Sequence, residues 1–333
     1  MGKFLFGLEL HADDDANTIL AEIGLGEKLG YDAVWLGDSQ LNWREMYVLL
    51  GAAAKVTSRV SLGTGVTNPI TRLPAVTASA ITTLQEVSGG RAVLGVARGG
   101  SSVRTLGMKP ATLAILEQFV NQVRELCSGA PTVTPSRKVR LSFGAPQKCP
   151  PIIVAASGSK TLQLAGRIAD GVIISAGTPD SGLQKAIGHI HAGLKERTLP
   201  KDNFQIIFMR DAAIHADRKK ALAAVSPHVA RNLLIYPDVS EAAALVKKEL
   251  QAAYKSNEHM SPDATHGQLI PDELITDFAI AGTAADCREQ AIKLFEQGID
   301  QLVIRLCGVD GAPRSAAIEA FAIEVMEPLR SKA

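Results

Sequence analysis

Apolar residues along the chain alternate between short runs rich in β-branched side chains and longer segments in which they recur every three or four positions. This is the pattern of successive strand–helix units. The first cycle predicts a strand over Lys3–Glu9 and a helix over Asp15–Leu29, with Ile19, Leu20 and Ile23 on one face and Gly30-Tyr31-Asp32 closing it. A strand over Ala33–Gly37 ends at Asp38, a helix over Arg44–Val56 follows, and the third strand is Val60–Val66. Pro74 opens a helix running to Val87, Gly89-Gly90 ends it, and Arg91–Val96 is the fourth strand. The next helix is the most regular, with Leu116, Phe119, Val120, Val123 and Leu126 on its inner face.

From Gly129 to Pro151 the periodicity breaks into prolines and glycines around a hairpin over Thr132–Phe143, which reads as an insertion lying over the main body and, with the helical stretch 218–276, is expected to make most of the pocket mouth. Alternation then resumes with strands Ile152–Ala155, Gly171–Ser175 and Phe204–Ile214, separated by helices Ser159–Ile168 and Asp180–Glu196. Helices over Arg218–Asn232 and Ser240–Tyr254, a polar stretch Lys255–Gln268, a helix Ala284–Gln297, an eighth strand Gln301–Leu306 and a last helix Ser315–Leu329 complete the chain. Eight strands with intervening helices predict one α/β domain over residues 1–333, a closed (β/α)₈ TIM barrel with insertions near 129–151 and 218–276. A doubly wound open sheet is the alternative.

With 46% apolar and 21% charged residues, the 333-residue chain can bury a large core. The formal net charge of +1, from 35 basic and 34 acidic residues in no long blocks, leaves no electrostatic footprint for nucleic acid or an anionic membrane. A small molecule or a second copy of the chain is the expected partner. Cys127, Cys149, Cys287 and Cys307 form no CxxC pair, the seven histidines have no spacing typical of a metal site, and no metal is expected. The N-terminal stretch is too short and acidic for a signal peptide, no apolar run approaches a membrane span, and a reducing cytoplasm is the expected setting.

A barrel assembles its chemistry at the carboxyl ends of its strands. Those ends carry Glu9 and His11, Asp38-Ser39, Thr67-Asn68-Pro69, Arg98-Gly99-Gly100-Ser101, Ala156-Ser157-Gly158-Ser159, Ser175-Ala176-Gly177-Thr178 and Arg305. Ala156-Ser157-Gly158 is a small polar turn opening a helix, able to hold a phosphate, though capping by Ser157 or Ser159 explains it as well. Arg98-Gly99 is a weaker anion candidate. Glu9 and Asp38 follow neighbouring strands and would face one pocket as proton-handling candidates, unless Asp38 only caps a turn and Glu9 only pairs with an arginine. The absence of a GxSxG elbow argues against an α/β-hydrolase.

The stretch VSLGTGVTNPITRLPAVTASAITTLQEVSGGRAVLGVARGGSSVRTLG, with PIIVAASGSKTLQLAGRIADGVI and AGTAADCREQAIKLFEQGIDQLVIRL, resembles the luciferase-like flavin oxidoreductase superfamily, above all its coenzyme F420-dependent, methylenetetrahydromethanopterin reductase-like branch. The resemblance implies a bacterial luciferase-like barrel, usually dimeric, that holds a flavin or deazaflavin. It also implies a non-prolyl cis peptide at Gly65-Val66, cofactor contacts from Thr67 and Asn68, a phosphate at Ala156-Ser157-Gly158, and pocket carboxylates at Glu9 and Asp38. Two positions depart from known members: Ser39 stands where many F420-dependent relatives have histidine, and Gly100 where the reductases tend to have an acid. The expected function is hydride transfer between F420 and a small organic substrate. The alternatives are an FMN-dependent monooxygenase served by a flavin reductase partner, and a flavin-binding protein without turnover.

Overall fold

A computed structural model describes residues 4–134, 136–175, 177–200, 203–235, 241–253 and 269–331. In chain order the elements begin β1 (Leu5–Leu10), α1 (Ala16–Lys28), β2 (Ala33–Leu36), α2 (Met46–Val56), β3 (Ser61–Thr64), α3 (Pro74–Val87), β4 (Ala92–Val96), α4 (Ser101–Thr105) and α5 (Leu113–Cys127). A small hairpin, β5 (Thr132–Val133) and β6 (Lys138–Val139), precedes β7 (Ile152–Ala156), α6 (Ser159–Ile168), β8 (Gly171–Ile174), α7 (Leu183–Lys195) and β9 (Gln205–Ile214). The rest comprises α8 (Arg218–Ile235), α9 (Glu241–Ala253), α10 (Asp272–Phe278), β10 (Ala279–Gly282), α11 (Ala284–Glu296), β11 (Gln301–Leu306) and α12 (Arg314–Phe321), which runs through a π turn (Ala322–Met326) into α13 (Glu327–Arg330).

Strands β1, β2, β3, β4, β7, β8, β9 and β11 are all parallel and close into a ring, because β9 pairs with both β8 and β11. These are the eight strands expected from the apolar pattern. Short β10, which that pattern does not reveal, pairs only with the far end of β9, Ala279 opposite Asp211 through Gly282 opposite Ile214. The polar stretch Lys255–Gln268 lies outside the described residues.

Alternation along each strand separates two cores. Phe6, Leu8, Val34, Leu36, Val154, Phe208 and Ile304 face outward into the helices with Leu116, Phe119, Val120 and Val123 of α5. Ala33, Trp35, Ile153, Ile173, Ile207 and Val303 fill the inside. The Trp35 indole is the largest of these: a Cβ built on Gly63 would stand 2.5 Å from its Cε3, so β3 passes it only as backbone. A third core belongs to the 218–276 segment, where Leu222, Val225, Val229 and Leu233 of α8 pack with Leu250, Leu274 and Phe278 over β9 and β10.

Segment 129–151 differs from expectation in its place. It links a helix, α5, to a strand, β7, so it must run at the amino-terminal face, opposite the strand ends. There it packs near α3 and α5, Gln85 Nε2 donating to the Lys148 carbonyl at 3.0 Å. It does not form the pocket mouth. That comes from α4, the loop after it, and α8.

The β3–β4 ladder slips by one residue. Gly63 pairs with Val93, but the next bridge joins Thr67 to Val96, four residues along one strand and three along the other. This bulge ends β3 at Thr64, earlier than the apolar run suggests, and re-aims the residues after it. Gly95 holds it: its N–H donates to Thr64 Oγ1 at 2.8 Å, and its carbonyl accepts from Thr64 Oγ1 at 2.7 Å and Thr67 N at 3.0 Å. A Cβ on Gly95 would lie 2.1 Å from the Thr64 carbonyl oxygen, a backbone atom that cannot give way. Gly95→Ala is therefore expected to cost about 3 kcal/mol or more in urea unfolding; a loss below about 1 kcal/mol would show that the slip is loosely held.

Candidate functional site

The strand ends meet around two adjoining lobes. The first, about 490 Å³, is lined by Gly65, Val66 and Thr67 after β3, by Arg98 to Ser102 after β4, and by Ala155 to Gly158 after β7. The second, about 720 Å³, opens toward α8 and the segment after β11. Glu9, His11, Trp43, Ser101, Arg104, Arg231 and Arg305 line both.

In the first lobe, the Gly65–Val66 peptide is cis, as the resemblance implied. Thr67 lines the lobe; it is fully buried and its Oγ1 has no hydrogen-bond partner among the described residues. Across from it, α6 starts at Gly158 with no side chain capping it. The expectation that Ser157 or Ser159 serves only as an N-cap does not hold, and the leading amides of α6 are left for a ligand or solvent. A Cβ at Gly158 would meet nothing within 4 Å. Gly99 has φ +101 and supports the turn into α4. A lobe lined by Thr67 and by the uncapped start of α6 suits a phosphorylated, ring-bearing cofactor.

Two expected contacts take other roles. Asn68 does not line the lobe: its Oδ1 accepts from Ile70 N and Thr71 N, both at 3.0 Å, and its Nδ2 donates to Thr71 Oγ1 at 2.9 Å and Ser102 Oγ at 3.2 Å. All its capacity is used to fix the turn after Thr67 and to tie it to α4. Arg98 contributes backbone to the lobe while its Nε donates to the Ala111 carbonyl at 2.5 Å, pinning the loop after α4.

Asp38 is at the lobe and 2% exposed, but it is not free. Arg72 grips both its oxygens, Nε to Oδ2 at 2.7 Å and Nη2 to Oδ1 at 2.9 Å, and Gln40 Nε2 donates to Oδ1 at 2.5 Å. Arg72 also pairs with Glu45 and lies 4.9 Å from the Tyr47 ring centroid. Ser39 lies 3.4 Å from Ser101 across their hydroxyls, joining the β2 loop to α4.

Glu9 stands where the lobes join, with His11 Nε2 3.5 Å from its Oε1 and Arg305 Nη1 3.4 Å from its Oε2. Burial would raise its carboxyl, but Arg305 and His11 outweigh burial and hold it below the usual carboxylate range. Burial lowers the His11 ring and Arg305 adds to that against the pull of Glu9, so His11 stays neutral, stacked on Trp43 at 4.0 Å. Arg305 continues to Asp211, Nε to Oδ1 at 2.6 Å; Asp211 lies 3.2 Å from His228 Nδ1 and accepts from Asn232 Nδ2 at 3.3 Å. Burial works to raise Asp211, yet Arg305 and His228 bring it far below its ordinary value. His228 is opposed by burial, but Cys307 and Asp211 beside it push its ring up to about 9.

Residue patterning did not single out His11, Asp211, His228, Arg231 or Cys307 as functional. Asp211, His228 and Cys307 come from β9, α8 and the segment after β11, and the pairing of β9 with β11 brings them together. The one available signal was position at a strand end, which His11 and Arg305 have and which His228, within a helix, lacks.

Comparison with known proteins agrees with this geometry. A family model described as luciferase-like monooxygenase matches residues 4–301. The chain is 31% identical over 309 residues to the 5,10-methylenetetrahydromethanopterin reductase of Methanolobus tindarius, covering 90% of this chain and 93% of the relative. It is 32% identical to that of Archaeoglobus fulgidus, covering 90% and 92%. The solved structure of the coenzyme F420-dependent tetrahydromethanopterin reductase from Methanopyrus kandleri superposes with a TM-score of 0.81 at 25% identity, over 98% of this chain and 99% of that one.

Asp211→Asn would leave Arg305 and His228 buried beside a neutral amide, and is expected to cost about 3 to 5 kcal/mol at pH 7. Glu9 and Asp211 are both depressed in the fold, so their stabilisation is complete above the unfolded carboxyl pKa of about 4 and is lost as pH falls below it. Urea midpoints measured from pH 7 to pH 3 should fall below about pH 4 in the wild type and less steeply in Asp211→Asn; parallel curves would mean that Asp211 does not contribute to the acid limb.

Proposed function

We propose that this chain, which belongs to the luciferase-like monooxygenase family, is an oxidoreductase that transfers a hydride between coenzyme F420 and a small organic substrate. The observation that carries the reading is the first lobe itself, lined by Thr67, by the bulge at Val66 and by the uncapped start of α6. The reductase names borne by relatives over nine-tenths of the chain support it.

When bound, the deazaflavin would supply hydride chemistry at C5. Ser157, Gly158 and the leading amides of α6 would receive its phosphate, Val66 would give an apolar backing to the ring, and Thr67 Oγ1 would meet a polar ring atom. Asn68 holds the Thr67 turn from behind. Glu9 is the proton-handling candidate that the geometry favours: its carboxylate is unprotonated, faces His11 Nε2, and reaches both lobes. The unprotonated Glu9 can take a proton from the substrate and return it as the substrate changes oxidation state, with neutral His11 and Arg305 fixing the carboxylate in place. Asp38, with both oxygens taken, orients and polarises. The second lobe would hold the substrate, walled from bulk water by α4 and α8. A homodimer in a cytoplasmic setting belongs to the same reading, and light scattering of the purified protein tests the dimer.

Parallel titration with F420 and FMN, followed by absorbance and ring fluorescence, tests the assignment. F420 is expected to bind more tightly; tight FMN binding without an F420 response would overturn it in favour of the monooxygenase reading. Gly158→Asp places a carboxylate against the phosphate position and is expected to weaken F420 binding by about tenfold or more with an unchanged urea midpoint.

Turnover is measured with 5,10-methylenetetrahydromethanopterin first and then a panel of small imines and carbonyls. Glu9→Gln should lower kcat by about 10² to 10⁴ with F420 affinity nearly kept, and Asp38→Asn by less. Full turnover in Glu9→Gln would remove it from proton handling.

A further inference from the structure

Three side chains that hydride transfer leaves unused meet at the second lobe. A sulfur from Cys307, a ring nitrogen from His228 and a carboxylate oxygen from Asp211 all lie within 4.8 Å of one another. Cys307 and His228 line the 720 Å³ lobe, whereas Asp211 is fully buried behind them and fixed by Arg305 and Asn232. The order is nucleophile, base, orienting carboxylate. The other thiols are placed differently: Cys127 and Cys287 are buried, and Cys149 is engaged with Cys127.

A divalent cation is the competing occupant of such a cluster. Arg305 already bonds Asp211 Oδ1 at 2.6 Å, so a metal bound there would sit against a guanidinium. The charged groups that line the lobe with the thiol are Glu9, Asp13, Arg104, Arg231, Arg305 and Arg314, with Asp211 of β9 buried behind. Cations thus face the sulfur along with the acids, which suits a negative charge formed on it.

We infer that Cys307, His228 and Asp211 form a covalent capture site for soft carbon electrophiles that enter the second lobe. The thiol proton resides on the His228 ring, beside which Cys307 and Asp211 stand, and the sulfur forms an S–C bond to the electrophilic carbon. With an alkyl halide, halide leaves with the bonding electron pair. With an activated alkene, sulfur adds to the β-carbon and the α-carbon takes the proton back from His228. Neither reaction needs an oxidant or a reductant.

The test is iodoacetamide labelling of the full-length protein between about pH 6 and 9, mapped by peptide mass spectrometry; neither F420 nor FMN enters the assay, so its outcome is separate from that of the cofactor titration. Cys307 is expected to label first, about tenfold or more faster than glutathione near pH 6.5, with little dependence on pH. His228→Gln should slow that labelling about tenfold and restore the steep rise with pH of an ordinary thiol. Cys307→Ser, a nearly isosteric change, should remove the fast phase with an unaltered circular dichroism spectrum. Labelling of Cys307 no faster than glutathione, or an unchanged rate in His228→Gln, would overturn the inference. So would stoichiometric Zn²⁺ binding that Cys307→Ser abolishes, which would assign the cluster to a metal.

Discussion

Arg305 is the constraint around which the carboxyl face is arranged. A guanidinium borne by an inward-facing strand position has little water to solvate it, and must be neutralised by groups from other strands. Glu9 from β1 and Asp211 from β9 do so, at 3.4 Å and 2.6 Å. Each of those carboxylates draws in a histidine, His11 on the cofactor side and His228 on the other. One buried cation thereby ties β1, β9 and β11 together at the height where chemistry takes place, and lowers Glu9, His11 and Asp211 at once. Arg305 helps keep Glu9 unprotonated and His11 uncharged, while Cys307 and Asp211 push the His228 ring up.

Below this layer, Trp35 decides how the cavity floor is built. The indole fills the barrel interior, and β3 and β4 approach it as bare backbone at Gly63 and Gly95. The slip of one residue between those strands follows directly above. Its effect is that Val66 and Thr67, which would otherwise continue a regular ladder, are turned toward the lobe. Packing of a core residue and presentation of a ligand contact are thus two ends of one short segment.

Much of this was legible in the amino-acid pattern, because period-two and period-3.6 apolar spacing reports which faces are buried. The eight barrel strands and the inner face of α5, from Leu116 to Leu126, are of this kind. Short elements with no period of their own, α4 and β10, were not. The site divides in the same way. Glu9, Asp38, Thr67 and Gly158 sit at strand ends and could be named from position alone. Whether a side chain is free could not be, since Asp38 is gripped by Arg72 from 34 residues away and Asn68 is used by its own turn. His228 and Cys307 carried no spacing signal, being brought together by the pairing of β9 with β11 across 79 residues of sequence.

The hairpin of β5 and β6 lies on the face opposite all of this chemistry, held to α5 by Gln122, whose Nε2 donates to the Val133 carbonyl at 2.7 Å. Loops on that face answer to stability alone, while those on the other answer to the ligand as well. The molecule therefore has a side on which length and composition can drift, or a label or fusion partner can be carried, without the lobes sensing it. Related chains should show their largest differences in size at this hairpin when the chemistry is the same, and around α8 when it is not.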